Sequence, residues 1–203
     1  MYDYDNMTIK QSKDVRIGSI VNAAVEEFLE KGYDSTSMDA IASRAGISKG
    51  GLYHHFRNKD EVLSFANKVF TLPVYEMMAK LVQNTDKPGG LAKFIDEYIT
   101  YWEQHRKELQ FFFLSMNKCF GDELLLQEYR EYFRQELDLI TNVYTDGQKA
   151  GQFIPINSRS LALSLISALD GSLAYLLIDE GLLTEELIQA FKGQYVDNYI
   201  QRI

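Results

Sequence analysis

The side chains best able to contact a charged partner are concentrated in one short tract. Ser48 and Lys49 are followed by Gly50 and Gly51, and then by three polar rings in the run Tyr53-His-His. An ammonium, a phenol and imidazoles can hydrogen-bond phosphate oxygens or the edges of nucleic-acid bases. Each glycine costs a helix about 1 kcal/mol relative to alanine, but it lets another surface approach the backbone. The tract has the composition of a nucleic-acid contact surface; the alternative for the glycines is a loose loop.

The residue spacing gives little support for a metal site, a disulfide bond or a catalytic site. The adjacent His54 and His55 do not share a helix face, no acidic residue or cysteine follows either one by four positions, and His105 is remote. Cys119 is the single cysteine, which excludes an internal disulfide and indicates a buried apolar residue. No nucleophile and base pairing and no phosphate loop is present, so we predict no catalytic site, metal or cofactor.

Local signals place the tract in a group of short helices. Apolar residues recur at helical spacing from Asp14 to Lys31. The sequence Thr36-Ser-Met-Asp then has the form of a capping box, which predicts a second helix to about Ala45. Ser48 is predicted to cap a third helix with Leu52 and Phe56 facing inward, and Asn58-Lys-Asp-Glu opens a fourth. The pattern predicts a helix-turn-helix whose polar face points outward.

The rest of the chain keeps the same helical spacing of apolar residues. Breaks at glycine and proline predict further helices near residues 91–105, 107–119, 122–149, 159–179 and 184–201. Pro73 is expected to kink or divide the fourth helix. We therefore predict an all-α fold with a three-helix DNA-binding domain in residues 1–62 and a larger helical domain in residues 63–203.

Composition and charge are compatible with this prediction. Of the 203 residues, 46% are apolar, and the net charge is −8. Residues 1–60 hold eight basic against nine acidic residues, so most of the acidity lies in the remainder. We find no secretory signal and no apolar run approaching the ~20 residues of a membrane span, and we expect a cytoplasmic protein with no membrane partner.

The segment from residue 14 to about residue 65 resembles the DNA-binding domain of the tetracycline-repressor (TetR) family. The resemblance rests on Thr36 to Ala42, on Ala45-Gly-Ile-Ser, and above all on Lys49-Gly-Gly-Leu-Tyr-His-His-Phe followed by Asn58-Lys. It implies that Ser37 and Lys59 hold phosphates and that residues 48–51 meet the DNA groove. Tyr53 and His55 would contact the backbone or base edges, with His54 as a neighbour. Gly51 replaces the serine or threonine of many members, and the N-terminal arm carries acidic residues, so we expect no arm contact.

The family resemblance further implies ligand sensing and dimerisation in residues 63–203. Two apolar stripes are candidates for the dimer interface, although an internal core explains them equally well. The candidates for dimerisation are Leu161, Leu165, Leu169, Leu173, Leu176, Phe191 and Tyr195. The aromatic residues of the middle helices could line a ligand pocket. The candidates for ligand binding are Phe94, Tyr98, Trp102, Phe112, Met116, Tyr129 and Phe133. Acidic residues of these helices could favour a cation if they face inward, but a solvated face is the alternative for Asp96, Glu97, Glu103 and Glu108.

Together these observations predict a homodimeric repressor that binds double-stranded operator DNA and is released by a small lipophilic effector. Two alternatives remain open. A helical interaction protein could retain the motif without binding an operator, which a gel shift would reveal. An enzyme is the least favoured class, and turnover by the purified protein would reveal it.

Overall fold

Helices account for nearly all regular structure in this protein. A computed structural model describes the backbone of residues 4–201 and the side chains of residues 16–179 and 181–201. This part of the chain contains nine α-helices and no strand beyond an isolated bridge between Phe153 and Ile200. The predicted all-α fold is confirmed.

The first four helices follow the predicted order. They are α1 (Tyr4–Lys31), α2 (Met38–Arg44), α3 (Lys49–His55) and α4 (Lys59–Gln83). Gly32 and Gly46 have φ values of 78° and 67°, and this left-handed backbone lets the chain turn sharply after α1 and α2. The helix α4 continues through Pro73, so the proline does not divide it.

The caps of these helices confirm two predictions and correct one. Ser48 accepts a hydrogen bond from the Gly51 amide at 3.1 Å, and Asn58 accepts one from the Glu61 amide at 2.8 Å. The cap of α2, however, is Ser37, which accepts from Ala40 N. The Thr36 hydroxyl instead donates to carbonyls at the end of α1. The predicted capping box was therefore displaced by one residue.

Five helices complete the chain. They are α5 (Lys87–Gln104), α6 (Arg106–Cys119), α7 (Glu123–Lys149), α8 (Ser158–Ile178) and α9 (Glu185–Tyr195), with single 3₁₀ turns at Glu180–Leu182 and Asp197–Tyr199. The prediction that the last helix runs to residue 201 was wrong. The chain leaves the helix after Tyr195 and pairs with an earlier segment, since Gln201 N donates to Gln152 O at 2.8 Å.

Packing divides the chain into two compact units. The first unit comprises Met1–Phe70 and Gln110–Leu125, and the second comprises Thr71–Leu109 and Leu126–Ile203. Because α4 crosses this division, its first half belongs to one unit and its second half to the other. The predicted functional boundary after residue 62 stays a prediction, since a packing unit need not coincide with a functional domain.

Ion pairs attach α2 to α1 within the first unit. The Arg44 guanidinium bonds Glu27 at 2.7 Å and also pairs with Glu26 and Glu30. Glu27 is only 3% exposed and receives a second bond from Lys31 at 2.6 Å. The hydrogen bond from Lys31, followed by that from Arg44, lowers the pKa of the Glu27 carboxyl against the opposing effect of burial. A buried carboxylate is tolerated here because two cations neutralise it.

The helix α8 corrects the expectation that no segment approaches the length of a membrane span. Its 21 residues are long and apolar enough to cross a bilayer, and it is the one such helix among the described residues. Its centre carries Asp170, which bonds Tyr98, and a stripe of its leucines is buried within the second unit. A carboxyl group at the centre of a bilayer is costly. We therefore interpret α8 as a core helix of the second unit.

Candidate nucleic-acid interface

The third helix turns a polar face away from the core of the first unit. Leu52 is fully buried and Phe56 is 4% exposed, whereas Tyr53 is 45% exposed. Lys49 and His54 are also exposed. The predicted inward pair is thus confirmed, and the residues between its members are available to a partner. This geometry can present ammonium, phenol and imidazole groups together to a DNA groove.

The first turn of α3 is open. Gly50 is exposed, and a side chain added there would find no atom within 4 Å. At Gly51 an added Cβ would lie 3.2 Å from the Ser48 hydroxyl, so this position is tighter. No acidic side chain occupies the first turn. An approaching phosphate would therefore meet no negative charge within α3 itself.

Lys49 has a partner that the sequence analysis missed. Its ammonium lies 2.8 Å from a carboxylate oxygen of Asp39 on α2, and both side chains are 61% exposed. The hydrogen bond from Lys49 to Asp39 raises the pKa of the ammonium, so it remains charged. A phosphate contact by Lys49 would require the ammonium to leave this carboxylate, so Asp39 would compete with the phosphate.

The predicted phosphate contact of Lys59 stays a prediction, but its ammonium makes bonds within the chain that the sequence analysis missed. Its ammonium donates to the backbone carbonyls of Tyr33, Asp34 and Thr36 at 2.8, 3.3 and 3.2 Å. It also lies 4.2 Å from the centre of the Tyr33 ring, and the phenol of Tyr33 bonds Asp60. An ammonium has three donors, and all three are used here. Lys59 fixes the turn between α1 and α2 in this structure.

The remaining residues predicted to contact DNA differ in their exposure to solvent. Ser37 is exposed, and while its oxygen caps α2, its hydroxyl hydrogen can still donate to a phosphate. His55 is half-buried, and its ring meets that of His54 edge to face at 5.3 Å. The described residues contain no group of three histidine, cysteine or acidic side chains placed to hold a metal ion.

The comparisons with known proteins agree with this geometry. The family description of bacterial regulatory proteins, tetR family, matches residues 20–64, a range that begins in α1 and ends in α4. Residues 20–64 are therefore similar to the DNA-binding domain of the TetR family. The TetC protein of transposon Tn10 from Escherichia coli is 33% identical over 91 residues, which cover 45% of this chain and 46% of TetC. The HTH-type transcriptional regulator YhgD of Bacillus subtilis is 24% identical over 151 residues, or 72% of this chain and 76% of YhgD.

The family fold extends over nearly the whole chain. A SmeT–triclosan complex superposes with a TM-score of 0.79 and 21% identity, covering 92% of each chain. SmeT is the repressor of a multidrug efflux pump of Stenotrophomonas maltophilia. The sequence matches, in contrast, span less than half of the length of TetC. The likeness therefore establishes the fold of the second unit, while its ligands and partners are treated as proposals.

The residues predicted to bind a ligand fall into both units. Phe94, Tyr98 and Trp102 form the predicted aromatic ladder in the second unit, and all three are buried. Their ring centroids are 5.7 and 6.5 Å apart in succession. Tyr129 and Phe133 belong to the same unit, with ring centroids 6.3 Å apart. The first unit contains the other two, Phe112 and Met116.

Most residues predicted to form the dimer interface are core residues instead. Leu165, Leu169, Leu173 and Leu176 on α8 and Tyr195 on α9 are buried within the chain, so the interpretation as an interface is wrong for them. Leu161 and Phe191 are half-buried. The exposed face of α8 carries other apolar side chains, which are Leu163, Tyr175 and Ile178, and Leu182 follows in the next turn. Because α8 is apolar on nearly all sides, its sequence did not reveal which side is the core.

Two carboxyl groups that the sequence analysis did not single out lie in the second unit, one buried and one half-buried. Glu136 on α7 is 4% exposed, and Asp170 on α8 accepts a hydrogen bond from the Tyr98 phenol at 2.6 Å. Burial, and the nearby Asp170, raise the pKa of Glu136, and burial raises that of Asp170. The sequence did carry a signal for Glu136, which stands at an inward position of the stripe that includes Tyr129 and Ile140.

The acidic residues that the sequence analysis considered as cation ligands lie elsewhere. Asp96 pairs with Lys192 at 2.6 Å, and Glu97 lies 3.5 Å from Lys93. Glu103 is exposed and Glu108 is half-buried. The alternative of a solvated face fits the exposed Glu103 and also Asp96 and Glu97, whose side chains are 46% and 43% exposed.

Proposed function

We propose that this chain is a sequence-specific DNA-binding transcriptional regulator that acts as a repressor. The observation that carries the proposal is the orientation of α3, which buries Leu52 and Phe56 and exposes Lys49, Tyr53 and His54. A helix presented in this way fits the major groove of B-DNA. The name of YhgD as an uncharacterized transcriptional regulator and that of SmeT as a repressor support the same assignment. We expect a non-enzymatic protein that acts in the cytoplasm.

The exposed groups divide between positioning and recognition. Lys49 exchanges Asp39 for a phosphate, and Ser37 donates its hydroxyl hydrogen to another. Tyr53 and His54 contact base edges or the sugar-phosphate backbone. The bare first turn at Gly50 allows the backbone of α3 to approach the groove closely.

The regulator is proposed to act as a homodimer. The exposed apolar side chains Leu163, Tyr175 and Ile178 lie on one side of α8, where contact with a second copy would remove them from water. A two-fold dimer places its two recognition helices in successive major grooves, about 34 Å apart. We therefore expect a near-palindromic operator.

A lysine comparison tests the DNA-binding proposal. The operator is first selected from random DNA with purified protein, and its affinity is then measured by fluorescence anisotropy at several salt concentrations. We expect Lys49→Ala to weaken binding and to reduce the salt dependence by about one phosphate contact. The matched control is Lys93→Ala, since Lys93 is also exposed and paired with a carboxylate but lies on α5.

The outcomes distinguish a specific contact between Lys49 and DNA from a general effect of the net charge of the protein. Unchanged helicity with loss of operator binding in Lys49→Ala alone supports the proposal. Equal losses in both variants would mean that only the total charge matters. Failure to select any sequence would overturn the proposal and favour a helical interaction protein.

A further inference from the structure

The second half of α6 packs in the same compact unit as the helix-turn-helix. Residues Gln110–Leu125 join Met1–Phe70 in the first unit. Within this unit the ring of Phe111 on α6 stacks with that of Phe28 on α1, with 6.1 Å between the ring centroids, and both side chains are fully buried. The orientation of this half of α6 relative to α1 is therefore set by core packing, and its polar residues have defined neighbours.

Lys118, near the end of α6, reaches the turn between α1 and α2. Its ammonium lies 4.8 Å from the centre of the Tyr33 ring and 3.7 Å from a carboxylate oxygen of Asp34. The Lys118 side chain is 29% exposed, whereas that of Asp34 is 91% exposed. Lys118 thus rests against an aromatic face and places its charge beside a carboxylate that remains in water.

Tyr33 is the residue at which α1, α4 and α6 meet. Its ring stacks with Phe28 on α1 at a centroid distance of 5.3 Å, and the Lys59 ammonium on α4 lies 4.2 Å from its centre. Its phenol donates a hydrogen bond to Asp60 at the start of α4. Because the face of an aromatic ring attracts cations, Lys59 and Lys118 both favour the observed position of this ring.

The turn that holds Tyr33 leads directly to the predicted DNA surface. Ser37 follows the turn, caps α2, and is predicted to donate its hydroxyl hydrogen to a phosphate. The exposed carboxylate of Asp34 stands three residues earlier and would repel the same phosphate. Three residues span at most about 11 Å, which is close to the distance over which charges act in physiological salt. The ammonium of Lys118 offsets this repulsion.

We propose that Lys118 is a positioning residue for DNA binding, which holds the turn at Tyr33 and neutralises Asp34 so that Ser37 can meet a phosphate. This inference rests on the proposed DNA-binding function and adds to it a residue outside the predicted contact surface. Lys118 acts through its two partners and does not itself touch DNA. Exposed ion pairs contribute little to folding, so its loss should affect operator binding more than stability.

A charge deletion and its rescue test the proposal in the full chain. Lys118→Met keeps an unbranched side chain of similar length and removes the charge. We expect it to lower the affinity for the selected operator about 3- to 10-fold in fluorescence anisotropy, the range expected for one exposed ion pair and one cation–π contact. Lys118→Arg should restore the affinity, because a guanidinium also pairs with carboxylates and stacks on aromatic rings. Circular dichroism verifies that each variant is folded at the assay temperature.

The matched control is Lys68→Met, which removes the same charge from an exposed position on α4 in the first unit. It should reduce operator affinity less than Lys118→Met does. Equal losses in the two variants would overturn the proposal, because only the net charge of the unit would then matter. No recovery in Lys118→Arg would also overturn it.

A double-mutant cycle with Asp34→Asn distinguishes positioning from direct contact with DNA. Lys118→Met should cost less affinity in the Asp34→Asn chain than in the wild-type chain, since the carboxylate that it offsets is absent. An equal cost in both chains, together with a salt dependence reduced by about one phosphate contact, would mean that Lys118 binds DNA directly and would refute the positioning role. An equal cost without that reduction would refute it as well.

The wild-type chain distinguishes a failure of this inference from a failure of the proposed function. Operator binding by the wild-type chain with no selective loss in Lys118→Met would refute the role of Lys118 alone. Absence of operator binding by the wild-type chain would refute the regulator, and the positioning role with it.

Discussion

Replacing Gly50 with alanine separates folding from DNA binding at the first turn of α3. A Cβ at this position meets no atom within 4 Å in the chain, and the backbone is already helical. Alanine loses less conformational entropy than glycine in a helix, so Gly50→Ala should stabilise the protein by about 0.5–1 kcal/mol. For a chain of this length, the melting temperature should rise by about 1–4 °C.

The same methyl group should weaken operator binding. If the α3 backbone packs against DNA, the added methyl meets a close-packed surface, where an extra carbon costs about 1–3 kcal/mol. This range corresponds to an affinity about 5- to 150-fold lower. The variant would then be more stable than the wild-type chain and less active, which a folding defect cannot produce.

Gly18→Ala is the matched control. Gly18 is also a helical glycine of the first unit with open space around it, but it lies on α1. Both variants should gain thermal stability in calorimetric melts, and anisotropy with the selected operator should show a loss for Gly50→Ala alone. Equal operator affinities would refute the idea that Gly50 approaches DNA. A lower melting temperature for Gly50→Ala would contradict the open space described around this residue.

Three further substitutions test other contacts of the two units. Lys59→Ala should lower the urea concentration at the midpoint of unfolding, because three backbone carbonyls lose their donor. If the midpoint is unchanged and operator binding is lost, Lys59 contacts a phosphate instead. Asp39→Asn should raise operator affinity and increase its salt dependence, since Lys49 no longer has to exchange a carboxylate; an unchanged affinity would contradict this competition. Gly147→Ala should destabilise the chain by about 1–3 kcal/mol in thermal melts, because its Cβ would overlap the buried Phe153 ring, and a wild-type melting temperature would argue against that packing.

Local rules predicted the caps and the inward pair of α3 because these features depend on residues a few positions apart. Ser48 and Asn58 act as caps where the sequence places them, and Leu52 and Phe56 occupy adjacent turns. The cap of α2 moved to Ser37 because the Thr36 hydroxyl bonds carbonyls nine and four residues earlier. A competing contact across the turn is not visible in the local pattern.

The partners of Lys49 and Lys59 were even harder to predict from the local sequence pattern than the cap of α2. The bonds of Lys59 reach back about 25 residues, and the Lys49 pair joins two different helices. Neither can be found from helical spacing, which relates only residues three or four apart. The resemblance to a family assigned Lys59 to phosphate, and only the three observed carbonyl bonds revealed its structural role.

The sequence also did not determine which side of α8 faces the core, but for a different reason. A helix with apolar residues on nearly all sides has no clear inward face, so periodicity does not separate core from interface. The structure buries Leu169 and Leu173 and exposes Leu163 and Tyr175. Glu136, in contrast, had a readable signal, because an acidic residue at an inward position of an aromatic stripe breaks the pattern.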